Sequence, residues 1–358
     1  MIRVGVIGLG RSGLELHAQP LTEVSGYELV AVCDQSEERL LKTSKELDAR
    51  PYRDAGSLFA DPEVDLVVVS VPGSLHSELS IAALESGKHV VVEKPMADTV
   101  AEADAMLSAA ERTGRILTVF HNRRWDEDYR MVKALVEQNK LGALLTIDTR
   151  VMSFGKEWTS YGVPEFNPTW RVQAAYGGGF LSDWGPHLAD QCLDLIGEWP
   201  EKITAELRGY LWSSEVDDYF SVRIQFPCGV LVTMEGSNNA RIPLPRWFVV
   251  GREGTLISGS GFGHWTEMKL KQDCDDGEVC IAPNDVLEDE ELRDEEKYYD
   301  ELSALFYADL QQALEEKKAP AITATQSRDV IALLEAARQS SKSGSPVVPP
   351  KPRHSYER

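Results

Sequence analysis

The chain has 358 residues, 37 of them Lys or Arg and 58 Asp or Glu, for a formal net charge of -21. That length suits about two domains with a sizeable buried core. A balance of 42% hydrophobic and 27% charged residues excludes wholesale disorder. The acid excess argues against nucleic acid and anionic membrane surfaces as partners, since phosphates are neutralised by Lys and Arg.

Met1 leads straight into the strand-like run Ile2–Ile7, with no apolar leader segment. The longest apolar run, Val64–Pro72, is strand-sized and well below the ~20 residues that cross a bilayer. Five cysteines (Cys33, Cys192, Cys228, Cys274 and Cys280) form an odd set without a C-x-x-C pair, neither a disulfide framework nor a zinc site. A reducing, cytoplasmic location is the expectation.

The first third of the chain alternates short β-branched runs with helix-compatible stretches. Ile2–Ile7, Leu29–Cys33, Leu66–Val71, His89–Glu93 and Ile116–Phe120 read as strands covered on both faces, being short and almost continuously apolar. Helices are expected within Ser74–Ser86 and Thr99–Thr113. In the second, Val100, Ala103, Met106, Leu107 and Ala110 recur at helical spacing, and Gly114 is a stop signal. Such alternation predicts a parallel sheet with right-handed crossovers.

One more helix is expected over Asp126–Gln138, with Met131, Val132, Leu135 and Val136 on its apolar side. The pattern then changes. Phe220, Val222, Ile224 and Phe226 alternate with polar residues, and Pro227-Cys228-Gly229 turns the chain into Val230–Met234, as in an antiparallel sheet with one open face. Residues 288–296 carry seven acids and one Arg and read as solvated surface. Thr325–Ser340 forms the last helix, and the Pro-rich tail from Pro346 reads as loosely held.

Three motifs carry chemistry. Gly8-Leu9-Gly10-Arg11-Ser12-Gly13 follows the first strand, and Asp34 ends the second, 21 residues after Gly13, the spacing of a dinucleotide-binding βαβ unit. Gly8 serves a tight turn, Gly10 the approach of a pyrophosphate, and Gly13 close helix–strand packing. Asp34 offers acceptors to ribose hydroxyls and repels a 2′-phosphate, which favours NAD, while the nearby Arg39 keeps NADP open. Glu93-Lys94-Pro95 ends a buried strand, where Lys94 can act as a fixed cation or proton donor. In Gly177-Gly178-Gly179-Phe180-Leu181-Ser182-Asp183-Trp184-Gly185-Pro186-His187-Leu188-Ala189-Asp190, a helix starting just before Pro186 would set Asp183 and His187 on one side. His187 suits proton exchange near neutral pH, Asp183 can orient it, and the glycines permit a ligand to approach closely. The remaining histidines show no metal-ligand spacing, so no metal is expected.

Over nearly the whole chain these motifs resemble the Gfo/Idh/MocA family of nucleotide-dependent oxidoreductases. Val71-Pro72-Gly73-Ser74-Leu75-His76 is similar to its T-P-N-x-x-H segment, with Val and Gly as departures. Glu93-Lys94-Pro95 and Asp183-x-Gly185-x-His187-x-x-Asp190 match its catalytic-lysine and substrate-domain motifs. Phe120-His121-Asn122-Arg123-Arg124-Trp125 is like its segment beside the nicotinamide.

The resemblance implies an α/β fold: a Rossmann domain over residues 1–122, then an α/β domain over 123–345 with a large, mostly antiparallel open sheet, and a tail over 346–358. It places the last helix near the junction and implies a homodimer or homotetramer paired through the open sheet. The implied activity is hydride transfer between NAD, with NADP not excluded, and a secondary alcohol of a sugar, inositol or related polyol. Lys94, Asp183 and His187 form the implied catalytic cluster: His187 would take the hydroxyl proton, Lys94 stabilise the alkoxide and Asp183 orient substrate and imidazole. Gly8, Gly10, Arg11, Ser12, Gly13, Asp34, Pro72, His76, Glu93, Lys94 and Asn122 would hold the cofactor. Arg124, Trp170 and Arg171 would line the substrate with Asp183 and His187. The loops Ser153–Phe166 and Ile242–Phe248, with Trp158, Tyr161 and Trp247, would shape the pocket. Two rivals are an NAD-dependent glycosidase with transient redox chemistry and a non-catalytic nucleotide-binding sensor. Retention of Lys94, Asp183 and His187 counts against the sensor.

Overall fold

The computed structural model describes residues 1–155, 169–261, 268–272, 279–281 and 298–356. In chain order the first part comprises β1 (Ile2–Ile7), β2 (Tyr27–Cys33), α1 (Glu37–Glu46), β3 (Arg50–Tyr52), α2 (Ala55–Phe59), β4 (Leu66–Val69), α3 (His76–Glu85), β5 (His89–Val92), α4 (Val100–Thr113) and β6 (Leu117–Val119). The strands form one sheet in the order β3-β2-β1-β4-β5-β6, parallel throughout. Val67, Val69, Val90 and Val92 face one apolar layer, while Leu66, Val68 and Val91 face the other. Both layers are dry, which is why these strands read as continuous apolar runs. The order reverses between β1 and β4, so the crevice at their carboxyl ends is the ligand-binding edge of such a sheet.

Three elements between Asp34 and Val64 carry no signal of the kind used for the others. Helix α1 starts where the Ser36 hydroxyl accepts from the Arg39 amide. Strand β3 has only three residues, and its Pro51 is tolerated because β3 lies at the sheet edge. Helix α2 is capped by Asp54. Strand β4 stops at Val69, short of the expected Val71, because Pro72 and Gly73 open a tight helical turn. Helix α4 matches its reading closely: Thr99 and Glu102 form a capping box, and Gly114 ends it at φ +63°.

The second part comprises α5 (Glu127–Glu137), β7 (Leu144–Met152), α6 (Phe180–Ile196), β8 (Lys202–Arg208), β9 (Tyr219–Gln225), β10 (Leu231–Ser237), β11 (Trp247–Gly251), β12 (Gly254–Ser258), β13 (Met268–Gln272), β14 (Val279–Ile281), α7 (Tyr298–Glu316) and α8 (Ala324–Ser343). Its strands form an eight-stranded sheet, β14-β13-β12-β11-β7-β10-β9-β8, in which only β7 and β10 run parallel. One face, with Ile203, Val222, Ile224, Val232, Met234, Ile147 and Val249, packs on Leu188 and Leu193 of α6 and Leu333 and Leu334 of α8. The opposite face carries Thr204, Glu206, Arg223 and Glu235. This is the period-two alternation of a half-covered sheet.

Three expectations are corrected. Helix α6 begins at Phe180, not beside Pro186, which sits inside it. A residue remote in sequence sets that start: the Phe180 amide donates to Asp217 O at 2.9 Å and the Leu181 amide to the Asp217 carboxylate at 2.7 Å. Trp247 is not a pocket wall but a fully buried residue of β11. The tail is held: Val347 bridges Ile203, and Asp329 accepts from the Arg353 and His354 amides at 2.8 and 2.9 Å. Helix α7, although it follows the second sheet, packs Phe306, Tyr307 and Leu310 into the core beside β1 and β2. Trp158, Tyr161, Cys274 and residues 288–296 lie outside the described residues. Among those described, no helix is long and apolar enough to cross a membrane.

Asp217→Ala keeps the carbonyl that accepts from the Phe180 amide but removes the carboxylate that accepts from the Leu181 amide. The expected cost is about 1–3 kcal/mol in chemical denaturation. An unchanged midpoint would mean that α6 holds its own start.

Candidate active site

The carboxyl edge of the parallel sheet gathers the residues of the first two motifs. Gly8 follows β1 with φ +87°, and a Cβ there would fall 2.0 Å from Ser70 O. At Gly13 a Cβ would fall 1.8 Å from Gly8 O. Both positions therefore require glycine, and the loop can close tightly between β1 and β4. Gly10 accepts from the Leu14 amide at 2.9 Å, which carries the chain into the helical turn Ser12–Ala18. Arg11 pairs with Glu15 on the surface.

Asp34 stands at the end of β2 and braces this loop. Its Oδ2 accepts from the Leu9 amide at 2.7 Å, and its Oδ1 from the Ser36 amide at 2.7 Å and from Arg39 at 3.1 Å. A glycine turn that excludes side chains, with a braced acid beside it, fits a dinucleotide's pyrophosphate and adenosine ribose.

Two expected cofactor residues are occupied by the protein itself. Each ring nitrogen of the buried His76 faces a carbonyl, Pro95 O at 2.7 Å and Val71 O at 2.8 Å, so His76 ties the Pro72 turn to the segment after Lys94. Glu93 accepts from the Lys94 amide at 3.0 Å and pairs with the buried His17 at 3.3 Å. His17 in turn meets the Tyr307 hydroxyl at 2.6 Å. Although burial opposes it, Glu93 is held below the usual carboxylate range, chiefly by His17. Glu93 thus fixes the backbone that presents Lys94.

Lys94 reaches from the end of β5 to the first turn of α6. Its Nζ donates to Asp183 Oδ1 at 2.7 Å and to Asp183 O at 3.0 Å. Arg171 reaches the same Oδ1 at 2.7 Å, with its guanidinium 4.9 Å from the centre of the Trp170 ring. Burial alone would raise the Asp183 pKa; Arg171 and Lys94 overcome it and hold the carboxyl far below its usual range.

His187 follows one helical turn after Asp183, as the spacing implied, and is 5% exposed. Burial, together with Lys94, Arg123 and His121, pushes its pKa well below 6.5, while Asp183 acts the other way. The resting imidazole is therefore neutral. Trp184 stands beside it, ring centres 5.8 Å apart, with Arg123 over the Trp184 ring at 4.6 Å.

The other side chains divide. Asn122 is buried at the start of the turn after β6. Arg124 forks onto Asp190 at 2.7 and 2.8 Å and reaches Asp194 at 3.2 Å, a brace onto α6. The glycine run serves packing, not ligand approach: a Cβ at Gly177 would meet Asp98 at 2.6 Å, and one at Gly179 would meet Asp217 at 2.5 Å. His121 belongs to the segment likened to the one beside the nicotinamide but received no role there. It lies 6.2 Å from His187 between ring centres, and both its nitrogens are buried. A histidine after a buried strand has no sequence signal that separates this position from an ordinary core site. Among the described residues, no cluster of His, Cys, Asp and Glu could hold a metal.

Comparison with known proteins identifies the family. Residues 2–121 match the oxidoreductase family with an NAD-binding Rossmann fold, and residues 129–257 match the Gfo/Idh/MocA C-terminal domain. The chain is 29% identical to scyllo-inositol 2-dehydrogenase (NADP(+)) IolW of Bacillus subtilis (strain 168), over 95% of this chain and 94% of that protein. It is 31% identical to the myo-inositol 2-dehydrogenase of Thermotoga maritima, over 67% and 69%. The solved structure of an NAD-binding protein from Listeria innocua superposes with a TM-score of 0.81 at 28% identity, covering 97% of this chain and 96% of that one. The chain belongs to the Gfo/Idh/MocA family of oxidoreductases, with its NAD-binding Rossmann fold at the N-terminal end.

Proposed function

We propose that the chain oxidises and re-forms a secondary alcohol of a polyol, with an inositol or a related sugar as substrate. The observation that carries this reading is the Lys94–Asp183 contact at 2.7 Å with a buried His187 one turn away. The inositol dehydrogenases among its relatives support a cyclic polyol.

The Gly8–Gly13 turn and Asp34 would hold a nicotinamide dinucleotide, which when bound would supply the hydride acceptor for the carbinol carbon. His187 takes the hydroxyl proton, for which a neutral imidazole is the competent form. Lys94, held by Asp183, stabilises negative charge as it develops on the substrate oxygen. Arg171 stands beside Asp183, with Trp170 under its guanidinium, and completes the polar wall. Lys94→Ala is expected to lower turnover at least ~10²-fold while NAD affinity stays within about threefold. Unchanged turnover on a reactive polyol would reduce Lys94 to a structural strand end.

The pH dependence follows from the depressed pKa of His187. Polyol oxidation needs the neutral ring, so kcat/KM falls as pH drops through a value below 6.5 and is level above it as far as His187 is concerned. His187→Asn should be slow and lack that acid limb. A limb of the same position and height in both proteins would assign the proton to another group.

Asp34 offers lone pairs to ribose hydroxyls, and Arg39 offsets part of its charge at 3.1 Å. Equilibrium titration is expected to show NAD bound more tightly than NADP, with the preference narrowed in Asp34→Ala, where Arg39 is released toward a 2′-phosphate. Tighter NADP binding by the wild type would overturn this assignment.

A further inference from the structure

We propose that His121 is a second proton-handling residue of this site, linked to His187 Nδ1 through one bridging water. The proposal rests on the reading of His187 as the base and adds the group that receives its proton.

Both imidazoles are closed off from solvent, at 1% exposure for His121 and 5% for His187. Neither nitrogen of His121, and not Nδ1 of His187, meets a donor or acceptor of the chain. The rings stand nearly perpendicular, at 83°, with centres 6.2 Å apart. No direct hydrogen bond joins the two rings, and a single water is the bridge the proposal assigns to them. Buried polar atoms in native structures have partners, and where the chain supplies none, ordered water does so.

The charges around the two rings differ, and burial disfavours the cationic form of both. His187 faces the cations Lys94 and Arg123, with Asp183 as the opposing charge and His121 beside it. A proton added to His187 therefore sits in a positive environment. His121 faces two carboxylates, Asp190 and Glu93, as well as Arg124 and Lys94. In oxidation, the substrate O–H bond breaks and its proton joins His187 Nε2, while the carbinol C–H pair leaves as hydride for the nicotinamide. The Nδ1 proton passes to the water, and the water's other proton passes to His121. One proton moves along the chain, and no electrons move with it.

The test uses protein labelled with 15N-histidine, with the His187 ring signals assigned by their loss in His187→Asn. In the wild type, His187 is expected to be neutral and protonated on Nδ1. His121→Phe should disturb that tautomer and lower kcat for polyol oxidation about tenfold or more, with NAD affinity within about threefold. His121→Gln can hold the water but cannot titrate, so it should restore the tautomer and remain slow. It also serves as the informative variant should the Phe substitution not fold. An unchanged His187 tautomer in His121→Phe, or full kcat in His121→Gln, would overturn the relay. If no polyol is oxidised by the wild type, the proposed function fails, while the ring-nitrogen signals still decide whether His121 and His187 are linked.

Discussion

The site depends on a single contact, that of the Lys94 ammonium with the Asp183 carboxylate. It joins the end of β5 in the parallel sheet to the first turn of α6, which lies against the antiparallel sheet. Both side chains are largely withdrawn from water, at 18% and 15% exposure. Desolvation makes such a pair a weak source of stability, and its use is better understood as positional. With Arg171 on the same carboxylate oxygen, two cations share one anion. Burial, together with Lys94, Arg123 and His121, holds the His187 pKa down, and the cations around Asp183 favour negative charge on an arriving substrate oxygen. One arrangement thus prepares both halves of the proton and charge transfer.

The rest of the fold keeps that contact in register. His17 and Tyr307 hold Glu93, and Glu93 holds the Lys94 amide. On the other side, Asp217 fixes where α6 begins and so where Asp183 and His187 face. Arg124 ties the turn after β6 to the same helix through Asp190. Helix α8 contributes Leu333 and Leu334 to the core of the second sheet and Ile331 to that of the first, so it packs on both. These groups are buried and mutually bonded, as a preorganised site requires.

Much of this was legible because it is written locally. The glycines at 8 and 13 are demanded by backbone approach within a few residues, and the Asp34 spacing follows from one βαβ unit. Lys94, Asp183 and His187 lie in short motifs whose helical or strand-end placement brings them together. What escaped reading is long-range. The start of α6 depends on Asp217, and Glu93 is engaged by His17, so neither could be inferred from flanking residues. The Pro-rich tail looks loose by composition, yet Asp329, inside the last helix, accepts two of its amides. Trp247 looked like pocket lining in a loop and is instead the buried start of β11, whose amide donates to Ser258. Arg124 shows the same limit: an arginine beside the expected nicotinamide position is bound to two acids a helix away in sequence.

The central claim is that hydride leaves a carbinol carbon of a polyol and arrives on the nicotinamide. The most direct measurement supplies an inositol carrying deuterium on its carbinol carbons, with unlabelled NAD, and locates the label in the product. The account predicts net formation of reduced nucleotide with deuterium at the nicotinamide C4 and a matching ketone. Cleavage of a glycoside with no net reduced nucleotide, or reduced nucleotide free of deuterium, would contradict it.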